Sequence, residues 1–234
     1  MKLKMMRILL GTLIVAILLL TGCNNGNTTA GQTSAYIVPD WLYQSLLAKF
    51  ENMESAERSE LIKKEDIKFA KVNMKDSTKP QIAAYITISR AEGYFVLYEF
   101  SEAEEEYKEV YAQHQPVFGL QVYGAWSKQM VAFISGNGGT GYQENYFHLI
   151  GSTQKGYKEI WTGLAGKDEF GQLPHYRTIG SLNIFMANEN QLLLYSQIKH
   201  RYDQLEEDIR KPDQVEKKVE LYLYNPQTEK FSLI

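Results

Sequence analysis

Tyr107-Lys-Glu-Val-Tyr111, Tyr157-Lys-Glu-Ile-Trp161 and Phe231-Ser-Leu-Ile234 fill the same slot three times, at offsets of 50 and then 74 residues. The segments before them align without gaps. Val96, Tyr98 and Phe100 fall on Tyr146, His148 and Ile150, and Phe147 to Ile150 fall on Leu221 to Tyr224. The same six-residue span joins each pair: Ser101–Glu106, Gly151–Gly156 and Asn225–Lys230. Aromatic and β-branched residues alternate through these segments, which is the pattern of half-buried strands. A second strand precedes each hairpin, at Ile82–Ile88, Met130–Ile134 and Leu193–Ser196. A first strand precedes that, at Ile67–Met74, Gly119–Tyr123 and roughly Tyr176–Met186. The expected fold is therefore mainly β: three four-stranded antiparallel meanders over about 66–112, 118–162 and 176–234.

Four-stranded meanders repeated at about 40–50 residues resemble propeller blades. The resemblance is one of pattern and points to no named family. It implies a ring, but propellers close with about 4–8 blades, so stacked sheets are the other arrangement this pattern allows.

The N-terminal part of the body, 36–65, reads as one or two short helices. Leu42, Leu46, Leu47 and Phe50 recur at helical spacing over Asp40 to about Met53, with Asp40 as a cap. Residues 54–65 are highly charged and form the second candidate.

The first 22 residues divide into a basic start (Lys2, Lys4, Arg7), an apolar run from Ile8 to Leu20 and small residues before Cys23. That is the layout of a secretory signal, and the run falls short of the roughly 20 residues a spanning helix needs. Leu20-Thr-Gly-Cys23 resembles the lipobox of bacterial lipoproteins. The resemblance implies cleavage before Cys23, a diacylglycerol thioether on its sulfur with palmitate-type chains, and residence on the extracytoplasmic face of the cell membrane. Two acyl chains make a stable anchor where one does not. Cys23 is the sole cysteine, so an exported body forms no internal disulfide. Asn24 to Ala35 is small, polar and uncharged, and reads as a flexible tether over 23–35.

Removing residues 1–22 takes Lys2, Lys4 and Arg7 with it, leaving 22 basic against 28 acidic residues and a net charge of −6. An acidic body argues against nucleic acid, which needs clustered Lys and Arg. The expected partners are the membrane, through lipid alone, and an unidentified protein or small-molecule ligand.

Alternating turns of a meander place the connections Ala112–Val117, Ser135–Asn145, Thr162–His175 and Lys199–Lys218 at one end, where long loops are expected to carry function. Ser135-Gly-Asn-Gly-Gly-Thr-Gly-Tyr142 contains a Gly-x-Gly-Gly-x-Gly string. A phosphate cradle needs a following helix; here a strand follows, which leaves a glycine hairpin or a backbone-lined ligand loop with Asn137, Gly138, Gly139, Thr140 and Tyr142 as candidates. Trp126, in a short turn, is a candidate exposed stacking residue. Asp168 and Glu169, in an expected turn, and His175 nearby are the candidates for acid or base chemistry; adjacent carboxylates do not by themselves make a glycosidase pair. His114, His175 and His200 fall at the same end, but their spacing matches no metal motif. No catalytic residue, metal site or cofactor is assigned, and no Gly-x-Ser-x-Gly or His-Glu-x-x-His occurs. The reading that results is a non-enzymatic binding or interaction module on a lipid anchor. Its alternatives are an envelope structural protein and an anchored hydrolase with a loop-borne acid and histidine.

Overall fold

A computed structural model describes residues 37–52, 62–124, 129–187, 190–204 and 211–234. Trp126, Cys23, the tether and most of the second expected helix lie outside these residues. Helix α1 spans Asp40–Ala48 and ends sooner than the apolar spacing predicts. Pro39, with φ −60° and ψ 146°, takes the N-cap position in place of Asp40, and its carbonyl accepts the Tyr43 N–H at 3.1 Å. Asp40 is instead the first helical residue. Its carboxylate still lies at the positive end of the helix and pairs there with Lys64.

Twelve strands follow in the described residues: β1 Lys68–Val72, β2 Gln81–Thr87, β3 Gly93–Ser101, β4 Glu106–His114, β5 Val117–Tyr123, β6 Met130–Gly139, β7 Tyr142–Thr153, β8 Gly156–Glu169, β9 His175–Ala187, β10 Asn190–Tyr202, β11 Gln214–Asn225 and β12 Lys230–Leu233. The molecule is mainly β, in two antiparallel sheets whose strands lie in chain order: β1–β4, and β5–β12. Two of the three matched hairpins close on the expected pairs, Ser101 with Glu106 and Asn225 with Lys230. The middle one is tighter, because Gly156 at φ 109° allows a two-residue turn between Thr153 and Gly156.

Three apolar clusters order the layers. Leu42, Leu46 and Phe50 of the helix side pack on Ile82, Ile86, Val96 and Tyr98 of β2 and β3. Trp41 stacks on Tyr107 at 4.8 Å, and Ser45 Oγ lies 2.8 Å from Tyr98 Oη. The opposite faces of β2 and β3, with Phe95 and Leu97, meet Val131, Phe133 and Ile150 of the long sheet. Phe95 and Phe133 stack across this seam at 4.2 Å. Thr87 Oγ1 ties the sheets by accepting the Val117 N–H and donating to the Val117 carbonyl, each at 2.8 Å.

The third cluster requires the long sheet to fold over. Trp161 of β8 touches Tyr195 of β10 at 5.2 Å and Tyr222 of β11 at 5.8 Å. In a flat sheet those strands would stand roughly 10 and 14 Å from β8. The bend lies at β8–β9, where only Gly166–Glu169 pairs with Tyr176–Ile179. Gly180 follows, against the Leu164 carbonyl, where no Cβ fits. Past this corner β9–β12 packs over β5–β8, with Leu149, Trp161, Leu182, Leu193 and Phe231 between them.

The loops expected to be long are mostly strand. β6 and β7 run on to a two-residue turn at Thr140-Gly141, β8 to Glu169 and β10 to Tyr202. Backbone pairing with a neighbouring ladder carries these glycine-rich and charged stretches, whatever their intrinsic strand preference.

Candidate ligand cleft

The β6–β7 turn and the β8–β9 connection meet at one end of the long sheet. Gly141, at φ 79°, turns the chain, and its carbonyl accepts the Phe170 N–H at 3.0 Å. The Gly141 Cα side also faces Gly171 too closely for a side chain. A cleft of about 240 Å³ opens here, floored by Gly136–Gly139 and lined by Arg90, Phe118, Asn137, Tyr142, Gln143, Asn145 and Phe170. Phe118, Tyr142 and Phe170 are 49%, 39% and 47% exposed. Three rings that could have been buried are thus left beside glycine backbone, an arrangement suited to a small ligand with a flat or apolar face.

Asn145 supplies the polar element. On β7 it pairs with Gly136 on one side and Gly166 on the other, and its side chain lies over Gly136. Its Oδ1 is buried and accepts no hydrogen bond. A buried carbonyl left unsatisfied costs about 1–3 kcal/mol, and the fold carries that cost at a residue that lines the cleft. Tyr142 Oη donates to Glu144 Oε2 at 2.6 Å, a bond that holds the phenol protonated and pushes its pKa up.

An adjoining groove of about 280 Å³ shares Gln143 and Asn145 and adds Asp168 and Arg177. Asp168 Oδ1 lies 2.5 Å from His175 Nε2, while Arg177 holds Oδ2 at 2.9–3.0 Å. Glu169 does not join them; it pairs with Lys167 at 3.0 Å. These carboxylates sit on a strand and not on the expected turn, so neighbouring side chains point to opposite faces. That geometry does not set two carboxylates across a bond. His175 is itself buried. His114 is stacked on Tyr94 and paired with Glu92, and His200 lies near Tyr202. Among the described residues no three His, Cys, Asp or Glu are grouped to hold a metal ion.

One array went unread in the sequence. Ser135 Oγ is 2.7 Å from His148 Nε2, and His148 Nδ1 is 2.5 Å from Glu159 Oε2, across β6, β7 and β8. The order matches a nucleophile, its base and the base's orienting acid. Ser135, however, is 2% exposed between the sheets, and its backbone is engaged in the β5 and β7 ladders. A substrate carbonyl has no approach to that hydroxyl. With the His148 ring stacked on Phe133 at 4.8 Å, the array is a satisfied polar seam in an apolar interface.

The opposite end carries a larger cleft, about 320 Å³, lined in part by Met74, Met130 and Ile160. These three are core side chains at the open rim of the layers. Of the two buried side-chain polar atoms without a hydrogen bond among the described residues, Asn145 Oδ1 belongs to the other end and Tyr157 Oη, paired in register with the lining residue Ser152, to this one.

The cleft thus gathers Asn137, Gly138, Gly139 and Tyr142, while Thr140 makes its turn and Asp168 borders it. Arg90, Phe118, Gln143, Asn145 and Phe170 were not foreseen. Pairing residues outward from a Thr140-Gly141 hairpin would have found Gln143 and Asn145, because it sets them opposite Gly138 and Gly136. No protein-family model matches the chain, and comparison with curated proteins and with solved structures returned no match.

Proposed function

We propose that this chain is a membrane-anchored extracytoplasmic lipoprotein, and that its β body is a non-enzymatic binding module whose ligand site is the Gly136–Gly139 cleft. The observation that carries the site is the buried, unpaired Asn145 Oδ1 beside three exposed rings. The ligand it fits is small, offers a hydrogen-bond donor to that oxygen and presents a flat or apolar face to Phe118, Tyr142 or Phe170. The basic start, apolar run and Leu-Thr-Gly-Cys23 support the anchor. Among the described residues no helix is long and apolar enough to cross a membrane, so the membrane contact in this reading is Cys23. We also read the twelve strands as three meanders stacked in layers, an arrangement that the clusters on either side of β5–β8 favour over a ring.

Two experiments test the reading. Cells fed an alkyne fatty acid should label the wild-type chain, and Cys23→Ala should abolish the label; persistent labelling overturns the anchor. For the site, the mature chain is titrated with a panel of monosaccharides, amino acids and nucleosides while amide NMR shifts are followed. At least one class should move the Gly138, Gly139 and Asn145 resonances, and Tyr142→Ala should weaken that response at least tenfold. Shifts confined to other surfaces, or none across the panel, overturn the assignment.

A further inference from the structure

The outer face of β9–β12 is the apolar surface that the internal layering leaves without a partner among the described residues. Leu193 and Tyr195 point into the cluster against β5–β8, so alternation turns Leu192 and Leu194 the other way. Leu192 stands between Phe185 and Leu223, and Leu194 is paired with Leu221. Ile179, Phe185 and Val219 on the same face are 49%, 43% and 67% exposed. The other faces of these sheets are each covered: β2 and β3 by α1, their reverse by β5–β8, and the reverse of β5–β8 by β9–β12.

We infer that this face is a self-association surface, closed by the same face of a second copy of the chain around a two-fold axis. Three features favour a second copy. The centre of the face, around Leu192, Leu194, Leu221 and Leu223, has no charged group; Lys217 lies outside it on a stretch of β11 that has no outer neighbour, and Lys230 at the start of β12 beside Asn225. Self-docking therefore sets no like charges against each other at its core, and a charge-poor apolar centre is typical of homodimer interfaces. The area also fits. Strands of 13, 13, 12 and 4 residues, rising about 3.3 Å per residue and lying about 4.8 Å apart, present on the order of 650 Å² in projection, near the ~800 Å² of accessible surface that each partner gives a standard interface. Finally, the chain already buries its sheets face to face twice, and a paired copy repeats that packing. A bilayer fits less well: the outward residues of β9–β12 include no tryptophan, and their cations, Arg177, Lys217 and Lys230, are spread around the leucine centre and not clustered. This inference does not depend on the cleft.

Val219 and Ile179 are exposed in the monomer, so Val219→Asp and Ile179→Asp leave its core intact. Sedimentation velocity of the mature chain in a mild detergent should give the mass of two chains, and each variant should weaken dimerisation at least tenfold. Because Cys23 is the sole cysteine, the full chain in cells can carry Leu194→Cys, Val219→Cys or Glu102→Cys as a reporter. Oxidation should yield a covalent dimer from at least one face position and none from Glu102→Cys, which lies in a distant turn. A monomeric wild type, dimers unaffected by the aspartates, or binding of the face to phosphatidylglycerol vesicles in place of self-association would each overturn the inference.

Discussion

The side chain of Asn145 occupies the space that a Cβ at Gly136 would need, and the two residues are paired across β6 and β7. The glycine is what lets the amide lie against the β6 backbone, its oxygen buried there, at a residue that lines the cleft.

Gly136→Ala should therefore cost about 1–3 kcal/mol, since the methyl meets both the Asn145 amide and the Glu144 carbonyl and neither can retreat freely. Gly139→Ala, where a Cβ has nothing within 4 Å, should change stability by less than about 0.5 kcal/mol. Urea denaturation of the two variants separates steric need from composition; equal losses would contradict it.

The hairpin turns make a second pair. Glu105 and Glu229 end four-residue turns at φ 55° and 52°, a left-handed backbone that glycine adopts without strain. Glu105→Gly should raise stability by about 0.5–1 kcal/mol. Glu229→Gly should not share that gain, because its carboxylate accepts the Gln154 N–H at 2.6 Å and holds Lys158 at 2.9 Å. Those contacts, the backbone bond first, also keep the Glu229 pKa low. A gain in both variants would rule out any role for the link between the two turns.

Alkali should unfold the protein through its tyrosines. Burial above all pushes Tyr98, Tyr111 and Tyr195 up to about 12, whereas phenols of the unfolded chain ionise near 10. Above pH 10 the unfolded chain binds fewer protons than the folded one. The stability these groups contribute is thus complete below pH 10 and is lost as pH rises toward 12, by about 1.4 kcal/mol per pH unit for a fully protected phenol. Urea midpoints at pH 9, 10.5 and 11.5 should fall in that order, less steeply in Tyr98→Phe; a flat profile would contradict the burial.

Much of the fold was legible because alternation is a local property: each of the twelve strands overlaps the segment whose apolar period marks it, though β1, β2 and β12 stop short of the expected Met74, Ile88 and Ile234. The strand ends were not legible. Gly136–Gly139 and Gly166–Glu169 have the composition of loops, and only a neighbouring ladder makes them strands. The cap was misread because Pro39, with its φ already set, precedes Asp40. The cleft was half legible. Its glycines announced themselves, but Asn145 gains its role from register, and Arg90 and Phe170 come from distant turns. The Ser135–His148–Glu159 seam was hidden for the same reason, its members lying 13 and 11 residues apart.

The most direct test of the cleft needs no knowledge of its ligand. An amide kept for structure has satisfied bonds, and its loss destabilises; one kept for binding leaves an acceptor unpaired in the free protein, and its loss does not. The measurement is the equilibrium unfolding free energy of Asn145→Ala against wild type in urea. A variant as stable as wild type or more stable, by up to about 1 kcal/mol, is the predicted result. A loss of more than about 1.5 kcal/mol would place Asn145 in the scaffold and contradict its assignment to a ligand.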